Sequence, residues 1–388
     1  MTVTSAAGFQ AAGVTAGIKA SGRPDVALVV NDGPLAVAAA VFTANRFAAA
    51  PVLWSRQVVA DGEVRAVILN SGGANACTGP EGFADTHRTA EHVARALSAT
   101  GPEVGAGDVA VCSTGLIGER LPMDTLLAGV DAAVGALSAD GGADAAVSIM
   151  TTDTVPKTAQ LTTDGYTVGG MAKGAGMLAP ALATMLVVVT TDAVVDADLA
   201  DSALRVATSL TFDRIDSDGC MSTNDTVLLL ASGASGVAPD PASFTDAVTE
   251  VCADLARQLI TDAEGASKDI EITVRGAVSE ADALLGARAI SRSNLLKCAI
   301  HGEDPNWGRI LSALGTTSAA FEPERVDVAI NGVWVCRGGG VGESRDLVDM
   351  SGRLVRIDVE LGAGTAEASI LTNDLTADYV HENSAYST

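Results

Sequence analysis

Basic residues are scarce in this chain. It has 24 lysines and arginines against 48 aspartates and glutamates, which gives a net charge of −24 and a pI near 4.3. A basic face for nucleic acid could not be assembled against such a field, so the composition excludes nucleic-acid binding. It does not exclude small anionic substrates, because one lysine or arginine can reverse the potential inside a pocket.

Aromatic residues make up only 3% of the chain, although 48% of it is hydrophobic. The core must therefore be built mainly from valine, alanine, leucine and isoleucine. A chain of 388 residues exceeds what one core usually serves. We therefore expect two domains, or one large layered domain with a subdomain. The sequence pattern changes after Gly276, so we place the boundary near residue 280, between a layered catalytic region (1–280) and a smaller α/β domain (281–388).

Long hydrophobic runs are also missing. The most apolar stretch, 177–189, contains Pro180 and is shorter than the ~20 residues that a membrane helix needs. The first ten residues contain neither a basic segment nor an apolar one, so no secretion signal is predicted. We expect no membrane partner and a cytoplasmic protein.

Cysteines are few, and they lack the spacing of a metal site or a disulfide framework. The six are widely scattered, with no CxxC pair and no cluster with histidine. In a chain of this length the pattern indicates reduced, mostly buried thiols and no metal site.

Phosphate-binding motifs are absent as well. Two apolar strands open into small residues at 70–79 and 112–118, where backbone N–H groups could bind an anion. Neither GxxxxGK[ST] nor GxGxxG is present, however, so nucleotide binding is not predicted.

The most informative stretch that is present is Lys173-Gly-Ala-Gly-Met-Leu-Ala-Pro-Ala-Leu-Ala-Thr184, which leads into an apolar strand. Cleavage between Ala183 and Thr184 would place a free amine beside the threonine hydroxyl. That pair is the nucleophile and base of N-terminal threonine catalysis. On these residues alone, a strand that simply begins with threonine is the alternative.

Turn residues predict three β-hairpins. Asp164-Gly165 and Asn331-Gly332 are typical two-residue turns, and a third hairpin is predicted near residues 362–364.

Several motifs occur together in a familiar order. Lys173-Gly-x-Gly-Met-x-x-Pro-x-x-Ala183-Thr184-Met-Leu closely resembles the self-cleavage motif of the ornithine acetyltransferase family, the glutamate N-acetyltransferases of the cyclic arginine pathway. The resemblance extends over essentially the whole chain. Further matching motifs begin at Phe42, Asn70, Asn75, Ser113, Met150, Ser222, Asp262, Asp304 and Asn383.

The resemblance implies two β-layers sandwiched between helices, similar to N-terminal-nucleophile enzymes but with different connectivity. It also implies a precursor that cuts itself into an α chain (1–183) and a β chain (184–388). The two chains stay associated, commonly as an α2β2 heterotetramer.

The family's functional residues carry over to matching positions. Thr184 is implied to be the nucleophile, and Thr114 with Gly115 the oxyanion hole. The substrate-binding residues are implied to be Thr151 or Thr152, Lys173, Thr184, Glu264, Asn383 and Thr388. Apart from the resemblance, Thr114-Gly115 could be a tight turn, and Lys173 and Glu264 could be surface residues.

The implied reaction transfers the acetyl group of N2-acetyl-L-ornithine to L-glutamate through an acetyl-threonine intermediate. No cofactor is implied, although acetyl-CoA is a second acetyl donor in some members. Three stretches depart from the family pattern: Gly73 stands where asparagine is usual, residues 216–221 differ from the usual Val-Asp-Gly-Asp-Thr, and His381-Glu-Asn replaces the common Ile-Asn. These departures leave acetyl-CoA use open. The alternative is a self-processing amidohydrolase or aminopeptidase, which would pass the acyl group to water.

Overall fold

The computed structural model describes residues 2–99, 101–178 and 185–385. The described chain divides into two compact units. The first comprises residues 2–213 and 220–259, and the second comprises 214–219 and 260–385.

The first unit contains both strands and helices, and its chain begins with three successive strands. Its elements are β1 (Phe9–Val14), β2 (Val26–Asn31), β3 (Val37–Phe42), α1 (Ala50–Val58), β4 (Ala66–Ser71), α2 (Gly79–Ser98), β5 (Val109–Thr114), α3 (Met123–Gly135), α4 (Gly142–Ser148), β6 (Lys157–Thr163), β7 (Tyr166–Lys173), β8 (Leu186–Thr191), α5 (Ala197–Leu210), β9 (Thr226–Ala231) and α6 (Pro241–Thr261).

These strands form two sheets, with orders β1-β2-β4-β5 and β3-β9-β8-β7-β6. The pairs β4–β5 and β8–β9 are parallel, whereas the other neighbours are antiparallel. Most of the strands are buried on both faces, which explains why they are continuous apolar runs in the sequence.

Side chains that alternate along the strands build the layers of this unit. One core cluster joins the facing sides of the two sheets, and it includes Val29, Leu69, Val188 and Leu228. The other side of the first sheet packs against α2 and α3. The outer side of the second sheet meets α5, and α6 reaches Gly170 through Val251 and Leu255. The predicted α/β/β/α layering is therefore confirmed for this unit.

The second unit is a separate mixed α/β structure. Its elements are β10 (Asp269–Ala277), α7 (Glu280–Ser291), α8 (Asn294–His301), α9 (Trp307–Leu314), β11 (Asp327–Ile330), β12 (Val333–Arg337), β13 (Gly340–Val341), β14 (Leu354–Glu360), β15 (Ala366–Asn373) and α10 (Ala377–Ala385). The strand order is β13-β12-β11-β14-β10-β15, and the apolar sides of α7, α8 and α9 join its core.

Two sequence-based expectations differ from this architecture. The domain boundary expected at residue 280 lies near 260, because β10 pairs with β14 and β15 of the second unit. The hairpin expected near 362–364 is absent, since β10 lies between β14 and β15. The turns at Asp164-Gly165 and Asn331-Gly332 do join paired strands, as predicted.

In the part of the chain that the structure describes, no helix has both the length and the apolar character needed to cross a membrane.

Candidate active site

The ends of the parallel strands β4 and β5 form a close backbone junction. The N–H groups of Gly72 and Gly73 both donate to the carbonyl oxygen of Thr114, at 2.9 and 3.0 Å. Gly115 follows with a φ of +131°, and a Cβ there would lie 2.5 Å from the nitrogen of Gly73. The junction therefore requires glycine at position 115, both for its backbone conformation and for space.

Lys173 brings a cation to this junction. It ends β7 and is fully buried, and its Nζ donates to Oγ1 of Thr114 at 3.1 Å. A hydroxyl that accepts a hydrogen bond from an ammonium group is polarised and becomes a better donor of its own proton. The Thr114 hydroxyl is thus suited to stabilise a developing negative charge.

The carboxylate of Asp153 offsets the positive charge of the buried lysines. Its Oδ1 accepts from Nζ of Lys157 at 2.7 Å and from the N–H of Gly174 at 2.6 Å. Burial alone would raise the pKa of this carboxyl, but Lys173, Lys157 and these hydrogen bonds outweigh it and lower the pKa to about 2. Asp153 is therefore ionised at neutral pH.

The loop that carries Thr151 and Thr152 is fixed by the same carboxylate. The N–H of Thr151 donates to Oδ2 of Asp153 at 2.9 Å, and both threonines are half-buried. Lys19 donates through Nζ to the carbonyl oxygen of Met150 at 2.6 Å. Burial, together with the charges of Arg23 and Lys173, lowers the pKa of Lys19 to about 8.

The buried segment 222–226 is hydrogen-bonded to residues beside this junction. Asn224 donates through Nδ2 to the carbonyl oxygens of Ala74 and Ser113, at 2.6 and 2.8 Å. Ser113 immediately precedes Thr114, so this loop fixes the end of β5. Asp225, the next residue, accepts the N–H of Met185 on Oδ1 at 3.1 Å.

In the second unit, Glu264 and Asn383 lie together. Nδ2 of Asn383 donates to Oε2 of Glu264 at 2.9 Å and to the carbonyl oxygen of Tyr379 at 3.0 Å. Gly265 has a φ of +62°, and a Cβ there would lie 2.3 Å from the nitrogen of Tyr379. The absence of a side chain at 265 therefore allows α10 to pack closely on the Glu264 loop.

Asp374 fixes the other end of that loop. Its Oδ1 accepts the N–H groups of Ser267 and Lys268, at 2.8 and 2.9 Å. Burial acts to raise the pKa of Asp374, but hydrogen bonds from Ser267, Lys268 and His301 lower it overall. The Glu264 loop is thus fixed by a buried carboxylate.

The structure brings together two sets of the predicted site residues. Thr114, Gly115 and Lys173 are adjacent in the first unit, near the loop of Thr151 and Thr152, and Glu264 contacts Asn383 in the second. Ala183, Thr184 and Thr388 lie outside the described residues, so their roles stay predictions. The choice between Thr151 and Thr152 also stays open.

Sequence reasoning did not single out Asp153, Lys157, Asn224 or Asp225. Asp153 and the pair Asn224-Asp225 lie inside motifs that resemble the family, and this was the available signal. Their burial and their distant partners depend on the fold. Among the described residues no group of three or more histidine, cysteine, aspartate or glutamate side chains could hold a metal ion.

Comparison with known proteins gives a consistent result. The ArgJ family model matches residues 10–388. An arginine biosynthesis bifunctional protein ArgJ of Streptomyces coelicolor is 68% identical over 387 residues and covers 100% of both chains. A protein of the same name from Thermobifida fusca is 63% identical over 388 residues, again with full coverage of both.

Solved structures also match part of the chain. An ornithine acetyltransferase from Mycobacterium tuberculosis, crystallised with ornithine, is 64% identical, with a TM-score of 0.46; the match covers 48% of this chain and 96% of that one. An arginine biosynthesis bifunctional protein argJ from Bacillus halodurans is 37% identical, with a TM-score of 0.48; it covers 51% of this chain and 97% of that one.

Proposed function

The chain belongs to the ArgJ family, and we propose that it transfers the acetyl group of N2-acetyl-L-ornithine to L-glutamate after cutting itself between Ala183 and Thr184. The single observation that carries the proposal is the buried Thr114–Lys173 contact beside Gly115. This contact supplies a polarised hydrogen-bond donor. Acyl transfer through a tetrahedral oxyanion requires such a donor.

Self-cleavage is the first step of the proposed mechanism. The hydroxyl oxygen of Thr184 attacks the carbonyl carbon of Ala183, and its proton passes to the nitrogen that leaves. Water then hydrolyses the resulting ester. The products are a carboxylate on Ala183 and a free amine on Thr184.

Acetyl transfer then repeats the same attack on the substrate. The Thr184 amine, with an ordinary pKa near 8, accepts the hydroxyl proton as the oxygen attacks the acetyl carbonyl. The tetrahedral oxyanion collapses and releases ornithine, which takes the proton. The neutral α-amine of glutamate then attacks the acetyl-threonine ester. The bond to the Thr184 oxygen breaks, a proton of the amine passes to that oxygen, and N-acetylglutamate leaves.

The other substrate-binding roles are assigned from the positions that match the family's motifs. Lys173 supplies positive charge for an amino-acid carboxylate, with Thr151 or Thr152 beside it. Glu264 and Asn383 supply a carboxylate and an amide for the polar end of the substrate, together with Thr388. The cut chains stay together as an α2β2 assembly in the cytoplasm, and acetyl-CoA as a second donor remains a prediction.

Intact mass and an acetyl-transfer assay test the proposal. We expect wild-type protein to give two fragments, 1–183 and 184–388, and Thr184→Ala to give one uncut chain. Thr184→Ser retains a hydroxyl and is the matched control, so it should still cut. An active wild-type protein that remains a single chain would refute self-cleavage.

The transfer itself is tested by incubating the cut protein with N-acetylornithine, with and without glutamate. We expect ornithine release to depend on glutamate and to match the N-acetylglutamate formed. Ornithine release at the same rate without glutamate would identify a hydrolase instead.

A further inference from the structure

Asp225 is hydrogen-bonded to Met185, the residue that directly follows the proposed nucleophile. Its Oδ1 accepts the N–H of Met185 at 3.1 Å, and the N–H of Thr226 donates to the carbonyl oxygen of Met185 at 3.2 Å. These bonds lie at the start of the parallel pair β8–β9, where Leu186 faces Thr226. Both polar backbone groups of Met185 are therefore held by the Asp225-Thr226 segment.

The carboxyl group of Asp225 lies in an unusual environment. The residue is fully buried, and among the described residues its Oδ2 has no hydrogen-bond partner. Burial raises the pKa of Asp225 well above its ordinary value, and Met185, Ser222, Lys173 and Thr43 offset this only in part. The protein interior therefore disfavours the ionised form of this carboxyl.

The same loop also reaches the proposed oxyanion hole. Asn224 binds the carbonyl oxygens of Ala74 and Ser113, so adjacent residues of one loop hold the strand start at Met185 and the strand end at Ser113. Attack on a carbonyl requires the nucleophile and the oxyanion donors to be fixed relative to each other. A loop with two such anchors provides that restraint.

We propose that Asp225 is a positioning residue for Thr184. This inference rests on the proposed function, because it takes Thr184 as the nucleophile. Asp225 acts through the peptide group of Met185.

Two substitutions separate positioning through the hydrogen bond to Met185 from the other roles of this carboxyl. Asp225→Asn keeps an oxygen acceptor of nearly the same shape, and we expect cleavage and kcat within about fivefold of wild type. Asp225→Ala removes the acceptor, and we expect cleavage and kcat to fall about 100-fold, the effect of a small misplacement of a reacting group. KM should change little in both variants.

Asp192→Asn is the matched control. Asp192 lies just after β8, is also buried, and accepts the N–H groups of Ala7 and Thr167 at 3.0 and 2.7 Å. It has no proposed part in the reaction, so its substitution should leave kcat unchanged. Circular dichroism and thermal melting check that each variant folds.

Every outcome decides the question. Unimpaired Asp225→Ala, or Asp225→Asn as slow as Asp225→Ala, would overturn the inference. Failure of Asp225→Asn to fold would also overturn it, because an isostere that keeps the acceptor oxygen should keep the fold. If only the alanine variant fails to fold, the activity of the asparagine variant decides. Wild-type protein that neither cuts nor transfers would instead overturn the proposed function.

Discussion

The two units carry their candidate site residues in opposite environments. In the first, Thr114, Asp153, Lys157 and Lys173 form a cluster, here called the lysine cluster, with every member at most 3% exposed. In the second, Glu264 is half-buried and Asn383 is exposed, and one hydrogen bond of 2.9 Å joins them. The first group is held from many directions, whereas the second is open to water.

This difference indicates different tasks. A buried charge is stable only when it is fully paired, so the lysine cluster can persist only in one arrangement. Such rigidity suits the stabilisation of a transition state, where donors must already be in position. The half-buried carboxylate of Glu264 still reaches water and can exchange it for a substrate at little cost, which suits binding.

Breaking the buried ion pair should have the largest effect. Lys157→Met leaves Asp153 without its 2.7 Å partner, and removal of one member of a buried pair costs about 3–5 kcal/mol. We expect a loss of this size in the free energy of unfolding, measured by urea denaturation. Asp201→Asn, which breaks an exposed pair with Arg205, should cost less than about 1 kcal/mol. Equal losses would remove the contrast between buried and exposed charges.

Removal of the Thr114 hydroxyl should have the largest effect on kcat. Thr114→Val keeps the shape but removes the donor, and loss of one oxyanion donor lowers kcat by about 10²–10³-fold. Steady-state kinetics should show this fall with little change in KM, and Thr114→Ser should restore most of the rate.

Thr89→Val is the control for a buried threonine, since that hydroxyl donates to the carbonyl oxygen of Asp85 within its own helix, α2. Its kcat should match wild type. A normal kcat in Thr114→Val would remove Thr114 from the oxyanion hole.

Local chemistry explains which parts of the fold were predictable. At Asp164-Gly165 and Asn331-Gly332 all four residues have positive φ, a conformation that these residue types accept easily, so the turns could be read from the sequence. The turn near 362–364 has similar residues but joins strands that flank β10. Strand order depends on the whole sheet, so a local pattern could not exclude the hairpin.

The same limit applies to the site. The motif resemblance placed Thr114 and Lys173 in one site, and their side chains are 3.1 Å apart. It did not reveal that Lys173 is fully buried, because burial depends on strands that are distant in the sequence. Asp225 was missed for the same reason: an aspartate in a polar loop is usually solvated, and only the packed structure shows otherwise.

Acid should weaken the first unit through Asp153. Its pKa falls from 3.8 to about 2 on folding, so the unfolded state binds more protons between these values. The stabilisation of about 2 kcal/mol is present above pH 4 and is lost as the pH falls through 2, with ~1 kcal/mol lost by pH 3. Urea unfolding of the wild type at pH 6 and pH 3, with Asp153→Asn as the reference, measures this difference.

Glu382 in the second unit should respond in the opposite sense. Burial and the charges of Glu264 and Asp378 raise its pKa, so the folded state binds the proton more tightly. Acid therefore favours the folded form at this residue.

An Asp153→Asn variant with the same acid sensitivity as wild type would contradict the role of Asp153.

The smallest effect is expected at the hydrogen-bonded pair Glu264–Asn383. Glu264→Gln removes the negative charge that the proposed function offers to the substrate, while an amide oxygen can still accept from Asn383. Because an exposed charge pair contributes about 0.2–1 kcal/mol, KM for N-acetylornithine should rise only about two- to fivefold, with kcat nearly unchanged. Glu382→Gln removes a neighbouring charge and should not raise KM. A kcat loss in Glu264→Gln as large as that of Thr114→Val would place Glu264 in the chemical step, and the division between a buried catalytic group and an exposed binding group would then fail.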